Sequence, residues 1–291
     1  DSRARPAAAM SVDACFFLPV GDGHRLWVET RGNPAGEPVL VLHGGPGSGC
    51  SPRFPALYDG ARQWLVLPDQ RGAGRSEPAG ERTANTTAHL IADLEALRLH
   101  LGIARWRVTG GSWGATLAIA YAAAHRDAVI DLVLRSVFVP SRARVDAFFG
   151  SALSLDGLAA DLDHIDPAVA RAAALAWWRH ELGMAAATAV VASPDDGALD
   201  RFVLKYRLQA HYLQAECFLG EAAFFAACCR LAGVPATLIH GREDRVCPPD
   251  RAEAVHARLP GSRLVWVEGC AHDPFHPAMQ AAWRAALLSA E

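Results

Sequence analysis

The sequence has no basic run and no long apolar run. Its 28 Lys and Arg residues stand against 31 Asp and Glu residues, a formal net charge of -3 over 291 residues. This balance gives no electrostatic support to a nucleic-acid partner. Since no apolar stretch is long enough to span a bilayer, we expect no membrane partner either. Residues 1–10 lack the apolar segment of a secretory signal, and we expect them to be an extension ahead of a start at Met10.

Cysteine and histidine lack the spacing of a metal site. The seven cysteines are an odd number; Cys228 and Cys229 are adjacent and the others are scattered. This usage favours a reduced, cytoplasmic protein with mostly buried thiols over a disulfide scaffold. No His or Cys cluster resembles a zinc site, and no phosphate-binding G-x-x-x-x-G-K-[ST] loop occurs. We therefore expect neither a metal nor a cofactor.

Short apolar runs ended by turn residues alternate with segments of helical periodicity. Strands are predicted at 24–32, 38–44, 64–70, 106–109, 129–136, 235–241 and 263–269, and helices at 87–101, 113–125, 250–259 and 277–289. The alternation predicts a doubly wound, mostly parallel α/β sheet. No buried strand is evident between 139 and 232, which is rich in Ala, Leu, Phe and Trp. We predict a core of 11–138 and 233–291 with 139–232 inserted as a helical cap.

The strongest local motif is a G-x-S-x-G sequence at 110–114, between a predicted strand and a predicted helix. In that setting the serine, Ser112, lies on a tight, strained turn that exposes its hydroxyl, and the glycines remove side chains that would clash. A chance Gly-Ser turn is the alternative, since the pattern alone is common. The strand–turn–helix setting favours Ser112 as a nucleophile.

An acid and a base should follow the serine in that order along the chain. Asp244 lies in the loop after the strand at 235–241, and His272 lies after the next strand. Asp244 would orient the imidazole of His272, which would take the Ser112 proton and return it to the leaving group. Glu243 remains an alternative acid. His276 is the alternative base, although its place beyond Pro274 favours a surface position or a helix start.

Two polar loops adjoin the predicted site. The Gly-rich turn at 43–47 follows a strand and could direct a backbone N–H at the nucleophile. Together with the N–H of Trp113 it would form an oxyanion hole, in which each donor is worth roughly 3–4 kcal/mol. The loop at 69–76 carries Asp69 and Arg71, which we expect to satisfy buried backbone groups near the site.

Taken together, five segments closely resemble the proline iminopeptidases, which are prolyl aminopeptidases of the α/β-hydrolase superfamily. They are HGGPG (43–47), DQRGAGRS (69–76), GGSWGATLA (110–118), HGRED (240–244) and GCAH (269–272). The resemblance covers about 20–140 and 232–275 closely, and the cap only loosely. HGGPG paired with GGSWG is more specific than G-x-S-x-G alone. The resemblance implies an α/β-hydrolase fold with an inserted cap.

The resemblance also implies roles for individual residues. It assigns the nucleophile to Ser112, the acid to Asp244, the base to His272, and the oxyanion donors to Gly45 and Trp113, with Gly44 as an alternative donor. Phe138 and Phe148 are expected to contact the substrate; the pair Phe148-Phe149 stands where the family often has tyrosine.

In that family two cap glutamates hold the free α-amine of the substrate. The resemblance places the first at Glu181, whereas this sequence has Gln209 at the position of the second. An amide keeps an acceptor oxygen but loses the charge-assisted hydrogen bond, which is roughly twice as strong as a neutral one. The second anionic partner of the substrate amine is therefore absent from this sequence.

The predicted function is hydrolysis, through an acyl-enzyme, of an N-terminal prolyl or small aminoacyl amide in a small peptide. An esterase, a lactonase or a specialised aminoacyl-amide hydrolase on the same scaffold is the alternative, which Gln209 favours. A dehalogenase or epoxide hydrolase is disfavoured because both need a carboxylate at the position of Ser112. A non-catalytic ligand-binding protein of hydrolase fold is the alternative of another class.

Overall fold

A single eight-stranded sheet forms the centre of the molecule. The computed structural model describes residues 14–185 and 192–288. The strands are β1 Ala14–Gly21, β2 His24–Gly32, β3 Glu37–Leu42, β4 Gln63–Pro68, β5 Trp106–Gly111, β6 Val129–Arg135, β7 Ala236–Gly241 and β8 Arg263–Val267. Their order across the sheet is β1-β2-β4-β3-β5-β6-β7-β8. From β4 to β8 all pairs are parallel, while β1 and β2 add an antiparallel edge.

Helices cover both faces of this sheet and continue into the cap. They are α1 Thr87–His100, α2 Trp113–Ala124, α3 Arg142–Phe149, α4 Leu155–Leu162, α5 Pro167–Met184, α6 Asp196–Gln214, α7 Gly220–Cys229, α8 Pro249–His256 and α9 Pro277–Leu288. The five helices α3 to α7 all lie between β6 and β7 in the chain, within the segment expected to form the cap. Among the described residues, no helix is both long and apolar enough to cross a membrane.

The predicted α/β-hydrolase fold, with its doubly wound, mostly parallel sheet, is confirmed. The continuous apolar runs of β3 and β4 are buried because helices pack on both sides. Alanine-rich α2 is buried over most of its length, and its small side chains allow it to pack closely against β5 and β6. One strand was not predicted: β1 pairs only at the sheet edge, where half-exposed residues weaken the alternation of apolar and polar side chains.

Candidate active site

Ser112 forms the turn between β5 and α2. Its backbone has φ 55° and ψ -125°, a conformation that costs a non-glycine residue about 1–3 kcal/mol. The flanking glycines have no room for a side chain: a Cβ on Gly110 would collide with the carbonyl of Gly114, and one on Gly114 with the carbonyl of Leu42. The turn is therefore specified by its glycines, and Ser112 lines a cavity beneath the segment expected to form the cap.

Asp244 and His272 meet beyond the carboxyl ends of β7 and β8. The Nδ1 of His272 lies 2.7 Å from the Oδ2 of Asp244, and the other carboxylate oxygen accepts the backbone N–H groups of Val246 and Cys247 at 3.0 and 2.8 Å. Burial alone would raise the pKa of Asp244, but the charge and hydrogen bond of His272 and the Cys247 N–H lower it to about 2. Asp244 is thus ionised at neutral pH and oriented on both sides.

The alternatives left open by the sequence differ sharply in position. The side chain of Glu243 is exposed, whereas Asp244 is buried and contacts the imidazole. His276 does not line the cavity that holds Ser112 and His272. Within residues 14–185 and 192–288 no hydrogen bond joins the Ser112 hydroxyl to His272; such bonds often tighten only when substrate binds.

The expected oxyanion donors surround Ser112. Gly44 and Gly45 both line the cavity, and a Cβ on Gly44 would lie 3.5 Å from the Cβ of Ser112. Trp113 is the first residue of α2, so its backbone N–H belongs to the helix turn that has no intrahelical acceptor. Which glycine donates stays a prediction, and both are close enough to the turn to be considered.

A buried hydrogen-bond network, which the sequence analysis missed, holds the Gly-rich turn at 43–47 against the Ser112 turn. The side chain of Gln70 donates to the carbonyl of His43 at 3.0 Å and accepts the indole N–H of Trp113 at 2.8 Å. The backbone N–H of Gln70 donates to the Nε2 of His43 at 2.9 Å. Burial lowers the pKa of His43, which keeps its Nε2 free to accept. A signal for this network was present in the sequence: His43 and Gln70, which hydrogen-bond to each other, belong to the HGGPG and DQRG segments.

The polar loop at 69–76 has the structural role expected of it. Asp69 accepts the backbone N–H groups of Cys50 and Arg75 at 2.6 and 2.9 Å. Arg71 donates to the carbonyls of Ala84 and Val20 at 2.7 and 2.9 Å. Asp69 and Arg71 thereby satisfy backbone groups of the neighbouring segments, as predicted.

The cavity, of about 660 Å³, brings together residues from the core and the cap. Four side chains predicted to contact the substrate line it: Phe138, Phe148, Glu181 and Gln209. Asp244 lies behind His272 rather than on the cavity wall, as expected for a residue that acts through the imidazole. Phe149, by contrast, is buried against Trp177 within the cap.

Glu181 is already surrounded by donors from the cap. Its carboxylate accepts from the Tyr206 hydroxyl at 2.8 Å, the Gln209 amide at 3.0 Å and the Trp177 indole at 3.2 Å. The ammonium of Lys205 lies 3.2 Å away. Burial would raise the pKa of Glu181, but the charge of Lys205 and these hydrogen bonds lower it. The sequence analysis did not identify Lys205, although it is the only lysine in the chain.

Gln209 retains an unused acceptor. Its amide nitrogen is engaged by Glu181, while its oxygen is buried without a hydrogen-bond partner in the described part of the chain. A buried unsatisfied carbonyl typically costs about 1–3 kcal/mol. A substrate N–H that reached this oxygen would remove that penalty.

Comparison with known proteins places this chain in a family. The profile of the alpha/beta hydrolase fold family matches residues 37–278. The proline iminopeptidase of Xylella fastidiosa is 37% identical over 90% of this chain and 91% of its own length; that of Arabidopsis thaliana is 33% identical over 91% and 76%. A proline iminopeptidase-related protein from Thermus thermophilus superposes with a TM-score of 0.67 at 22% identity, covering 95% of this chain and 97% of its own. An esterase from Rhodococcus gives 0.68 at 23%, covering 95% and 99%.

Proposed function

The chain belongs to the proline iminopeptidase family of α/β hydrolases, and on that basis we propose that it releases an N-terminal prolyl or small aminoacyl residue from a short peptide through an acyl-enzyme on Ser112. It is a prolyl aminopeptidase-like hydrolase. One observation carries the proposed mechanism: Ser112, on its strained turn, lines the same cavity as His272. The Nδ1 of His272 lies 2.7 Å from the buried carboxylate of Asp244.

In the proposed mechanism His272 takes the hydroxyl proton of Ser112 as the oxygen attacks the scissile carbonyl. The N–H groups of Trp113 and Gly45 stabilise the oxyanion. His272 then gives its proton to the departing amine, and water hydrolyses the acyl-enzyme by the same route. Asp244 keeps Nδ1 protonated and stabilises the imidazolium that forms.

Substrate selection is proposed to depend on the cap wall. Phe138 and Phe148 supply an apolar surface for a proline ring or small side chain. The free oxygen of Gln209 accepts an N–H from the substrate's amine or imine. Glu181 shares its charge with Lys205, so the preference for a free amine is weak. The free thiols, most of them buried, suit the reducing cytoplasm that we propose as its location.

The second candidate is an esterase or a specialised amide hydrolase on the same catalytic residues. The observation that favours it is the 3.2 Å ion pair between Lys205 and Glu181. The Lys205 ammonium neutralises the Glu181 carboxylate, which would otherwise attract the ammonium of a substrate.

A panel of matched substrates separates the two candidates. Prolyl and alanyl 4-nitroanilides, each free and N-acetylated, would be assayed beside 4-nitrophenyl acetate and butyrate. The proposed function predicts turnover of the free prolyl or alanyl anilides, with a modest advantage over the acetylated forms. Turnover confined to the esters would replace it with the second candidate, and no turnover at all would favour a ligand-binding protein.

A further inference from the structure

The cavity beside Ser112 has an unequal number of positive and negative groups. Its lining includes three guanidinium groups, one ammonium and, outside the buried Asp244–His272 pair, one carboxylate. They belong to Arg135, Arg144, Arg251, Lys205 and Glu181. The ammonium of Lys205 pairs with the carboxylate of Glu181, and Arg144 pairs with Asp250 and Glu221, which do not line the cavity. The uncompensated positive charge of the described residues is that of Arg135 and Arg251. A hydrolase that took only neutral or cationic substrates would gain nothing from this excess.

Two of these cations, Arg135 and Arg251, have a buried guanidinium nitrogen without a hydrogen-bond partner in the described part of the chain; Arg251 is the one on α8, next to the loop of Asp244. Its side chain is buried, with the residue 6% exposed, and its Nε has no hydrogen-bond partner. Within residues 14–185 and 192–288 the guanidinium forms no ion pair. The nearby carboxylates are engaged elsewhere: Asp250 with Arg144 at 3.1 Å, and Asp244 with His272 at 2.7 Å. A buried, unpaired guanidinium is costly unless a ligand completes its coordination.

Arg144 approaches Arg251 from the cap. It lies on α3, and its hydrogen bond to Asp250 brings it beside the first turn of α8, where Arg251 follows in the sequence. Burial lowers the pKa of Arg251, and the charge of Arg144 acts in the same direction, while Cys247 and the nearby carboxylates oppose them. Two guanidinium groups from separate elements thus line one cavity. Arg144 already donates to Asp250 and Glu221, so the unused donors of Arg251 are the ones best suited to an anion.

This part of the cavity lies on the side of the catalytic imidazole. Arg251 lies in the first turn of α8, and this helix follows the loop that holds Asp244. The Cys247 N–H of that loop donates to the Asp244 carboxylate. In the proposed mechanism the leaving group departs towards His272, which gives it a proton. An anion held by Arg251 would therefore belong to the leaving group rather than to the acyl part near Glu181 and Gln209.

We propose that Arg251, assisted by Arg144, binds a carboxylate on the leaving group of the substrate. The natural substrates would then be short peptides whose free C-terminal carboxylate lies close to the scissile bond, with dipeptides the simplest case. This inference rests on the proposed function for the identity of the acyl part, but the carboxylate site itself does not depend on which acyl group is transferred.

Matched esters test the site without assuming a prolyl substrate. For each protein kcat/KM would be measured on 4-acetoxybenzoate and 4-acetoxybenzamide, which differ by a carboxylate on the leaving phenol. We expect wild type to favour the carboxylate about 10- to 100-fold after correction for spontaneous hydrolysis, as for a charge-assisted hydrogen bond in a poorly solvated site. In Arg251→Met the ratio should fall towards one, and Arg251→Lys should restore part of it.

Two controls keep the result specific. Arg230→Met removes an exposed charge outside the cavity and should leave the ratio at the wild-type value. Arg144→Gln removes the charge of the half-buried partner of Arg251. It should lower the ratio of the two kcat/KM values by less than Arg251→Met, and it still tests the site if Arg251→Met fails to fold. Circular dichroism and thermal melting would establish folding for all variants.

Binding measurements separate failure of this site from failure of the proposed function. Calorimetric titration with 4-hydroxybenzoate and 4-hydroxybenzamide requires no turnover. Tighter binding of the carboxylate in wild type, lost in Arg251→Met, supports the site even if prolyl anilides are not hydrolysed. Equal binding and equal kcat/KM for both members of the pairs overturns it. A preference seen only with 4-nitrophenyl hemisuccinate over 4-nitrophenyl butyrate also overturns it, because that carboxylate is on the acyl part.

Discussion

The two walls of the active-site cavity are built on different physical principles. On the core wall, short-range constraints fix each group: glycines too crowded for a Cβ hold the Ser112 turn. Behind that wall, two backbone N–H groups orient the Asp244 carboxylate that contacts His272. On the cap wall, side chains satisfy one another, with Lys205 and Gln209 both directed at Glu181. The core wall cannot change without losing the turn geometry. The cap wall can exchange partners, and this is where substrate preference can diverge within a family.

The comparison predicts that substitutions at the Ser112 turn and the groups that support it act on kcat, whereas substitutions on the cap wall act on KM and substrate choice. The largest effect is expected from Ser112→Ala, which removes the proposed nucleophile. Loss of the nucleophile in comparable triads lowers turnover by on the order of 10⁴–10⁶. Steady-state kinetics on the best substrate, with thermal melting to verify folding, would check this. Activity retained within about tenfold would move the nucleophile elsewhere.

Asp244→Asn is expected to have the next largest effect. The amide can occupy the same position but favours the wrong tautomer of His272, and the loss should be about 10⁴ in kcat. Glu243→Gln is the matched control, since the neighbouring side chain is exposed and should matter far less. If the control proved the more damaging of the two, Glu243 would be the acid.

Gln70→Ala should give an intermediate effect on the core wall. It removes the link between the His43 carbonyl and the Trp113 indole and so loosens the turn that carries the oxyanion donors. Because a complete donor is worth about 10²–10³ in kcat, its partial misplacement should cost roughly tenfold to a hundredfold. Parallel losses for amide and ester substrates, with KM nearly constant, are expected. A change in KM alone would show that Gln70 acts on binding instead.

The smallest effects are expected on the cap wall. Gln209→Glu adds a second carboxylate and should lower KM for free prolyl or alanyl amides by about tenfold, relative to their N-acetylated partners. Lys205→Met should act in the same direction by releasing Glu181, while Lys205→Arg keeps the charge and serves as the control. Free and acetylated substrates that respond equally to all three variants would contradict a role for this wall in amine recognition.

The same contrast explains what could be predicted from the sequence. The sheet and the Ser112 turn follow from local patterns, because apolar runs and glycine spacing reflect constraints within a few residues. The Asp244–His272 pair needed only the order of strands. The cap wall depends on contacts between α5 and α6, such as Lys205 with Glu181 across 24 residues, and no local pattern reports a partner at that distance. The resemblance located Glu181 and Gln209 but could not show that an internal cation balances the carboxylate.

The most direct test of the central claim, that Ser112 on the core wall performs the chemistry, is mass spectrometry of protein labelled by a fluorophosphonate. The proposed mechanism predicts one adduct per chain, carried by the peptide that contains Ser112, with Asp244→Asn slowing its formation and Ser112→Ala abolishing it. An adduct on any other residue, or none on a folded protein that still hydrolyses its substrate, would contradict the claim.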